Sequence, residues 1–214
     1  MVGLVGMPDD EADRHVLVDR LERQRDLDPA TAAAMRAVPR HELVPDAQRS
    51  KAYSDRPLPI GEGQTISAPH MVAIMTDLLD LEPGHEVLEI GTGRGYHAAV
   101  TAEVVGAANV HTVEYHGALA DAARRRFRET GDDAISVRHG DGKRGWPAHA
   151  PYDRAYLTCA APDFPDAVVD QVRPGGVLLA PIGTRRQRLV RATKRGDGSL
   201  DREDHGGVRF VRLQ

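Results

Sequence analysis

Cysteine is almost missing from this chain: Cys159 is the only one in 214 residues. One thiol excludes an intramolecular disulfide framework and a zinc site built from several thiolates, and it suits a reducing cytoplasm, the compartment expected here. An excess of positive charge is missing as well. With 28 basic against 32 acidic residues and a formal net charge of -4, no broad basic field is available to neutralise phosphates, so nonspecific nucleic-acid binding is not indicated. No run approaches the roughly 18 to 20 apolar residues of a membrane span. The opening MVGLVGMPDDEADRH has neither a basic n-region nor a long apolar h-region, so no signal peptide is expected, and Met7 is an alternative start. The ten histidines are scattered, and HEVLE at 85 to 89 lacks the second histidine of a helical zinc site, so no metal is expected. Internal repeats and low-complexity tracts are also missing.

What is present is enough apolar material for a core. At 41% hydrophobic, a chain of this length fits one compact domain, expected as a monomer. Two regions differ in texture. Residues 1–82 read as N-terminal helices followed by a connector that covers an acceptor site. Leu17 and Leu21 share a helical face, and Asp28 caps a helix that has Pro29 at its first position. The stretch PRHELVPDAQRSKAYSDRPLPIGEGQTIS carries four prolines and reads as an ordered connector with little regular structure. After Pro69, Met71, Ile74, Met75, Leu78 and Leu79 fall on a helical stripe whose ordinary explanation is core packing.

Residues 83–214 change rhythm to short β runs separated by helices. Strands at 86–90, 110–114 and 135–139, then DRAYLTCA and GVLLAPIG, require parallel crossovers. The expected fold class is therefore α/β, a doubly wound, mostly parallel, seven-stranded Rossmann-like sheet with an antiparallel C-terminal strand and N-terminal helices. In the tail, RLVRATKRG and GVRFVRL flank the polar DGSLDREDHGG, which reads as the turn of an antiparallel hairpin or edge.

The run VLEIGTGRGY places Gly91, Gly93 and Gly95 at the carboxyl end of the first core strand, where open α/β sheets bind ligands. The spacing discriminates between cofactors, because a dinucleotide fingerprint needs a glycine where Tyr96 stands. Three acids follow three successive strands. Glu89 suits the amino end of an amino-acid-like ligand, although a solvated strand-end carboxylate would look the same. Glu114, 23 residues after Gly91, suits two ribose hydroxyls at the roughly 20-residue spacing of that contact. Asp141 suits an adenine amino group, with Gly142 leaving room for the ring. No P-loop lysine motif accompanies them. A nucleoside without phosphates that carries an amino-acid arm is S-adenosylmethionine.

The chain resembles the protein-L-isoaspartate O-methyltransferases, class I S-adenosylmethionine-dependent enzymes that methylate the α-carboxylate of isoaspartyl residues in damaged proteins. The matching stretches are VPRHELVP, AYSDRPLPIGEGQTISAPHMVA, VLEIGTGRGYHAAVTAEVVG, HGDGKRGWPAHAPYD, CAAPDFPDAVVDQVRPGGVLLAPIG and VRFV, over roughly residues 38–211 in family order. GQTIS is the specific element, since GTGxGY occurs across many class I methyltransferases. The resemblance implies S-adenosylmethionine as cofactor, S-adenosylhomocysteine as product and isoaspartyl proteins or peptides as partners, with neither nucleic acid nor membrane. It implies that Ser67 is the active-site serine, although from the residues alone Ser67 reads as the cap of the helix starting at Pro69.

By the same resemblance Thr65, Ile66, His70, Gly91, Thr92, Gly93, Gly95, Tyr96, Tyr115 and Thr158 join the three acids and Gly142 around the cofactor. Asp55, Ala160 and Val211 join Ser67 on the acceptor side. Arg94 and the VRFVRLQ tail depart from the family's usual GTGSGY and VRFVPL. Arg94 either touches a substrate or points outward. The competing readings are the same fold acting on another acceptor (RNA, a small metabolite, or a peptide aspartate in a natural product) and a noncatalytic binding module. Cys159 reads as a small buried filler and RRRFR at 124–128 as a solvated helix face.

Overall fold

The computed structural model describes residues 9–214; the readings of a leader and of Met7 concern residues outside that range. Helix α1 (Asp10–Gln24) begins where the Asp9 carboxylate accepts from the Ala12 amide at 3.1 Å, with Asp10, Glu11 and Asp13 in the first turn. Helix α2 (Pro29–Ala37) starts as the sequence predicts: Asp28 accepts from Ala30 N–H at 2.7 Å and Pro29 takes the first position. Arg36 joins the two helices through Asp19 and Glu22.

The connector is more regular than its prolines suggest. Two short 3-10 turns, Arg40–Leu43 and Asp46–Lys51, lead into a hairpin of β1 (Leu58–Gly61) and β2 (Gln64–Ile66). Its turn needs Gly61 at φ 101°, Glu62 at φ 53° and Gly63 at φ 68°. Two glycines in three positions meet that need at little cost, so GEG is a set turn. Helix α3 (Pro69–Leu78) buries Val72, Ala73, Met75 and Thr76, with Leu79 just beyond; Met71, Ile74 and Leu78 of the expected stripe form a partly buried flank.

The core sheet is ordered β5-β4-β3-β6-β7-β8-β9. Strands β3 (Val87–Ile90), β4 (Val110–Glu114), β5 (Ser136–His139), β6 (Tyr152–Leu157) and β7 (Val172–Ile182) run parallel, linked by helices α4 (Tyr96–Val105), α5 (Gly117–Thr130) and α6 (Asp166–Gln171). Strand β8 (Gln187–Lys194) runs against both neighbours, and β9 (Leu200–Val208) closes the edge. The expected antiparallel C-terminal element is thus the β8–β9 pair. LDREDHGGV, read as a turn, is itself the last strand, and the turn lies at 195–199.

Alternation along β3 sorts its side chains. Val87 belongs to the apolar cluster that also takes in α1, α2, α3 and α4, while Leu88 and Ile90 belong to the cluster on the opposite face with Val168 and Leu178. Helix α4 is buried at eight of its ten positions, because it lies between the sheet and the N-terminal helices. No helix among the described residues is long and apolar enough to cross a membrane.

Candidate active site

The site begins with the register of three neighbouring strands. Glu89 on β3 is flanked by Thr112 on β4 and Tyr156 on β6. All three side chains share a face, so the two hydroxyls donate to the Glu89 carboxylate at 2.6 and 3.0 Å. Thr92 reaches Thr112 at 2.6 Å, and Thr101 reaches the Tyr156 hydroxyl at 3.0 Å, which extends the network under the glycine loop. Glu89 is fully buried. Burial therefore pushes its carboxyl up to about 7, against the two hydroxyls that favour the ionised form. The solvated-carboxylate reading is excluded by this placement.

Past Ile90 the chain turns at Gly91, where φ is 102° and a Cβ would lie 2.3 Å from Thr158 Oγ1. Only glycine meets both conditions. Gly93 N–H and His116 N–H donate to the two oxygens of Glu114 at 2.8 and 2.9 Å, which clamps the loop to the end of β4. The next glycine does something else. Gly95 starts α4 at φ 95°, and a Cβ there would sit 2.4 Å from Phe127 of α5. Its role is helix packing, and that gives the RRRFR segment its meaning: Phe127 is core, while Arg124 and Arg126 hold Val137 O, Asp121, Glu42 and Glu129.

Three spaces adjoin this framework. A cavity partly open to solvent is lined by Gly91, Gly93, Glu114, Tyr115, Gly142 and Val211, with Ile90 and Val113 as apolar floor. A smaller one is lined by Ile66, Ser67, Glu89, Thr92, Arg94 and Tyr96. A wide groove runs past Ser67, His70, Met71 and Val211. Thr65 and Thr158 line all three, and Ser67 lines the last two. Arg94 is half-buried and faces the smaller space, so it does not simply point outward.

Four expected site residues lie outside these linings. Ala160 is buried and pairs its backbone with the tail, donating to Val211 O at 2.7 Å and accepting from Leu213 N–H at 2.9 Å, which places Val211. Asp141 caps the following turn through Lys143 N–H at 2.9 Å, Gly95 packs on Phe127, and Asp55 stands behind His70.

Asp55 corrects the reading of Ser67 as a cap. Helix α3 has Ala68 at its N-cap position with no side-chain cap bond. Asp55 Oδ1, 15 residues upstream, accepts instead from His70 N–H at 2.9 Å and from His70 Nδ1 at 2.8 Å. Ser67 itself lines the groove and the smaller space. Asp55→Ala is expected to cost about 1 kcal/mol, the usual value of a lost cap, lowering the melting temperature by roughly 2–4 °C. Ser67→Ala is expected to leave it unchanged. Thermal unfolding of the two variants checks both.

Two residues carry more than the sequence suggested, and a third, Cys159, is the buried filler expected. Arg40 lies fully buried, its guanidinium 4.6 Å from the Tyr96 ring centroid, and donates to Ala52 O at 2.9 Å and Ser67 O at 2.7 Å. It sits in VPRHELVP, so the motif was visible but the role was not. His97 packs on Tyr156 at 4.5 Å between ring centroids, and burial lowers its pKa to about 3, keeping it neutral. Cys159 is buried, and burial with the nearby Glu114 and Glu89 raises its thiol to about 12. A thiol held protonated is no nucleophile.

The family model for protein-L-isoaspartate(D-aspartate) O-methyltransferase matches residues 12–214. The chain belongs to this family. A protein-L-isoaspartate O-methyltransferase of Methanopyrus kandleri is 54% identical over 185 residues, covering 85% of this chain and 82% of that one. A second, from Archaeoglobus fulgidus, is 48% identical over 202 residues, covering 94% and 92%. A solved protein-L-isoaspartate O-methyltransferase superposes with a TM-score of 0.86 at 29% identity, over 94% of this chain and 66% of that one.

Proposed function

We propose that this chain transfers a methyl group from S-adenosylmethionine to the α-carboxylate of L-isoaspartyl residues in damaged proteins or peptides, which starts their repair. The observation that carries the reading is the convergence of two smaller spaces and one wide groove on Thr65 and Thr158, with Ser67 at the border. The residues fit the cofactor. Glu114 lines the larger cavity with two oxygens that keep lone pairs for ribose hydroxyls beyond their backbone bonds. Ile90 and Val113 offer an apolar bed for a base, and Gly142 keeps it open, since a Cβ there would meet Ile90 at 2.3 Å. Glu89 in the smaller space complements a cationic amino-acid end.

Bound there, S-adenosylmethionine supplies an electrophilic methyl on a sulfonium. The acceptor carboxylate, with a reference pKa of about 4, is already ionised at neutral pH. No general base is required of the protein. The reaction joins opposite charges, so strong donors to the carboxylate would stabilise the ground state more than the transition state. A hydroxyl that orients one oxygen is the useful device, and orientation with exclusion of water can supply up to about 7–11 kcal/mol. The Arg40 bond to its carbonyl, which fixes the backbone at that point, supports Ser67 in that role. The β1–β2 hairpin holds Thr65 over the junction as the cover. The expected setting is a reducing cytoplasm, with the protein as a monomer acting on isoaspartyl proteins.

The test is incubation with labelled S-adenosylmethionine and matched peptides containing isoaspartate or normal aspartate. A base-labile methyl ester on the isoaspartyl peptide alone is expected; equal or absent labelling overturns the reading. Ser67→Ala is expected to lower kcat about ten-fold with cofactor affinity intact, as for loss of one orienting contact. Full activity would remove Ser67 from the site.

A further inference from the structure

The acceptor groove is electrostatically one-sided. Thr65, Ser67, His70 and Thr158 line it together with the loop after β7, the start of β8 and the segment after β9. Those segments carry Arg185, Arg186, Arg188, Arg209 and Arg212, and among the described residues no carboxylate lines the groove. Arg188 is held by Asp204 at 2.8 Å. Among the described residues, Arg185, Arg186, Arg209 and Arg212 make no ion pair within the chain, and all four are exposed. A chain of net charge -4 thus lines this groove with five arginines, four of them outside any ion pair among the described residues.

Chance surface placement would intersperse the signs, as the β8–β9 hairpin does with Arg191–Glu203 and Arg195–Asp201. A groove lined by cations alone creates a positive potential where an extended peptide would lie. Resting on the function proposed above, we infer that this groove selects isoaspartyl segments with aspartate or glutamate close to the isoaspartyl residue, and that Arg185, Arg186 and Arg209 determine the preference. The cations act on encounter and on ground-state binding. Arg185, Arg186 and Arg209 line the groove and neither of the two smaller spaces, so they leave the transfer step itself untouched. Preference therefore falls on KM, with kcat common to all acceptors. Exposed pairs each contribute little, and their sum is screened at a Debye length of about 10 Å in 0.1 M salt.

The experiment uses the full chain with S-adenosylmethionine and peptides bearing one central isoaspartate. The flanks are neutral, acidic on the N-terminal side, acidic on the C-terminal side, or basic. At low salt, at least one acidic peptide is expected to show a KM about three- to ten-fold below the neutral one, the sum of a few exposed pairs. The basic peptide is expected to lie above it. The advantage is expected to shrink towards unity by about 0.5 M salt. In an Arg185→Ser, Arg186→Ser, Arg209→Ser variant the acidic-to-neutral ratio collapses to one, and Arg186→Glu with Arg209→Glu shifts preference to the basic peptide. Methylation of all peptides with equal KM overturns the inference while leaving the proposed function standing. Methylation of none overturns the proposed function itself. Inhibition by polyuridylate at low salt, without discrimination among peptides, also overturns it, since the cations would then serve a nucleic acid.

Discussion

Replacing Arg40 with methionine is expected to lower the free energy of unfolding by about 3 kcal/mol, because bonds from a charged donor contribute roughly 1.5–3 kcal/mol each and buried carbonyls left without a donor carry their own cost. Methionine keeps most of the volume, so a cavity adds little to the loss. The guanidinium has no carboxylate in contact. Its charge is offset by the carbonyls of Ala52 and Ser67 and by the face of Tyr96. Burial lowers its pKa to about 10, which still leaves it charged at neutral pH. The removed charge also relieves a desolvation penalty, which is why the estimate stays below the full sum of the two bonds and the ring contact. Arg40→Lys is expected to fall between, since one ammonium cannot reach two carbonyls in the planar fork geometry. Urea unfolding at constant m checks the ranking. The same variants separate stability from function. Arg40 is the tie between the Ser67 carbonyl and the N-terminal core, so kcat is expected to drop about ten-fold at temperatures where the variant remains folded, as for a displaced positioning group. Unchanged unfolding midpoints would show that the two carbonyls find other donors, and the account of the Ser67 loop would fall with them.

The parallel strands were legible because each is a short buried run whose neighbours are helices. VLEI, VHTVE and YDRAYL announce themselves by apolar content and by the turns that bound them. Their register was not legible, and register is what seats Glu89 between Thr112 and Tyr156. Long-range caps escaped for the same reason. A serine two residues before Pro69 is the local candidate for capping α3, but the bond came from Asp55, and no local rule reaches across 15 residues. Strand β9 was missed because an exposed edge has no apolar alternation to display. Its order comes from cross-strand pairs such as Arg188 with Asp204 and Arg191 with Glu203. The β1–β2 hairpin was hidden by strands of four and three residues around a turn of three positive-φ positions. Gly95 adds a constraint that no local pattern shows: a Cβ there would meet Phe127, 32 residues away in the chain.

Glu89→Gln is expected to make the cofactor-free protein more stable and a poorer enzyme. In the unfolded chain the Glu89 carboxyl gives up its proton near 4.5, and in the folded protein, where burial opposes the charge, it holds the proton until about 7. Between those values folding takes up a proton, so raising the pH favours the unfolded state. The loss begins at pH 4.5, grows through the window and is complete above pH 7. A displacement from 4.5 to about 7 corresponds to roughly 3 kcal/mol. Glutamine is uncharged, and the hydroxyls of Thr112 and Tyr156 can rotate to serve it, with Thr92 and Thr101 as alternative partners. The variant should therefore lose the pH-dependent fall in stability and exceed the wild type by about 2–3 kcal/mol at pH 8, the energy of not ionising a buried acid. Ligand binding should move the opposite way. If Glu89 complements a cationic arm, wild-type affinity for S-adenosylmethionine should rise about ten-fold per pH unit up to about pH 7, because binding there requires release of the Glu89 proton. Glu89→Gln should bind about 10- to 100-fold more weakly at pH 8, the range for losing one charged partner at a buried site. Its affinity should then be flat with pH. Calorimetric titration in two buffers of different protonation enthalpy measures the proton release directly, and denaturant unfolding across pH 5 to 8 measures the stability slope. A variant that binds as tightly as the wild type with the same pH slope would mean that Glu89 is a structural acid inside a strand network, tuned by burial and unrelated to the ligand. Opposite pH trends in stability and binding that vanish together in Glu89→Gln would mean that the fold keeps a destabilising carboxylate because the ligand's charge compensates it.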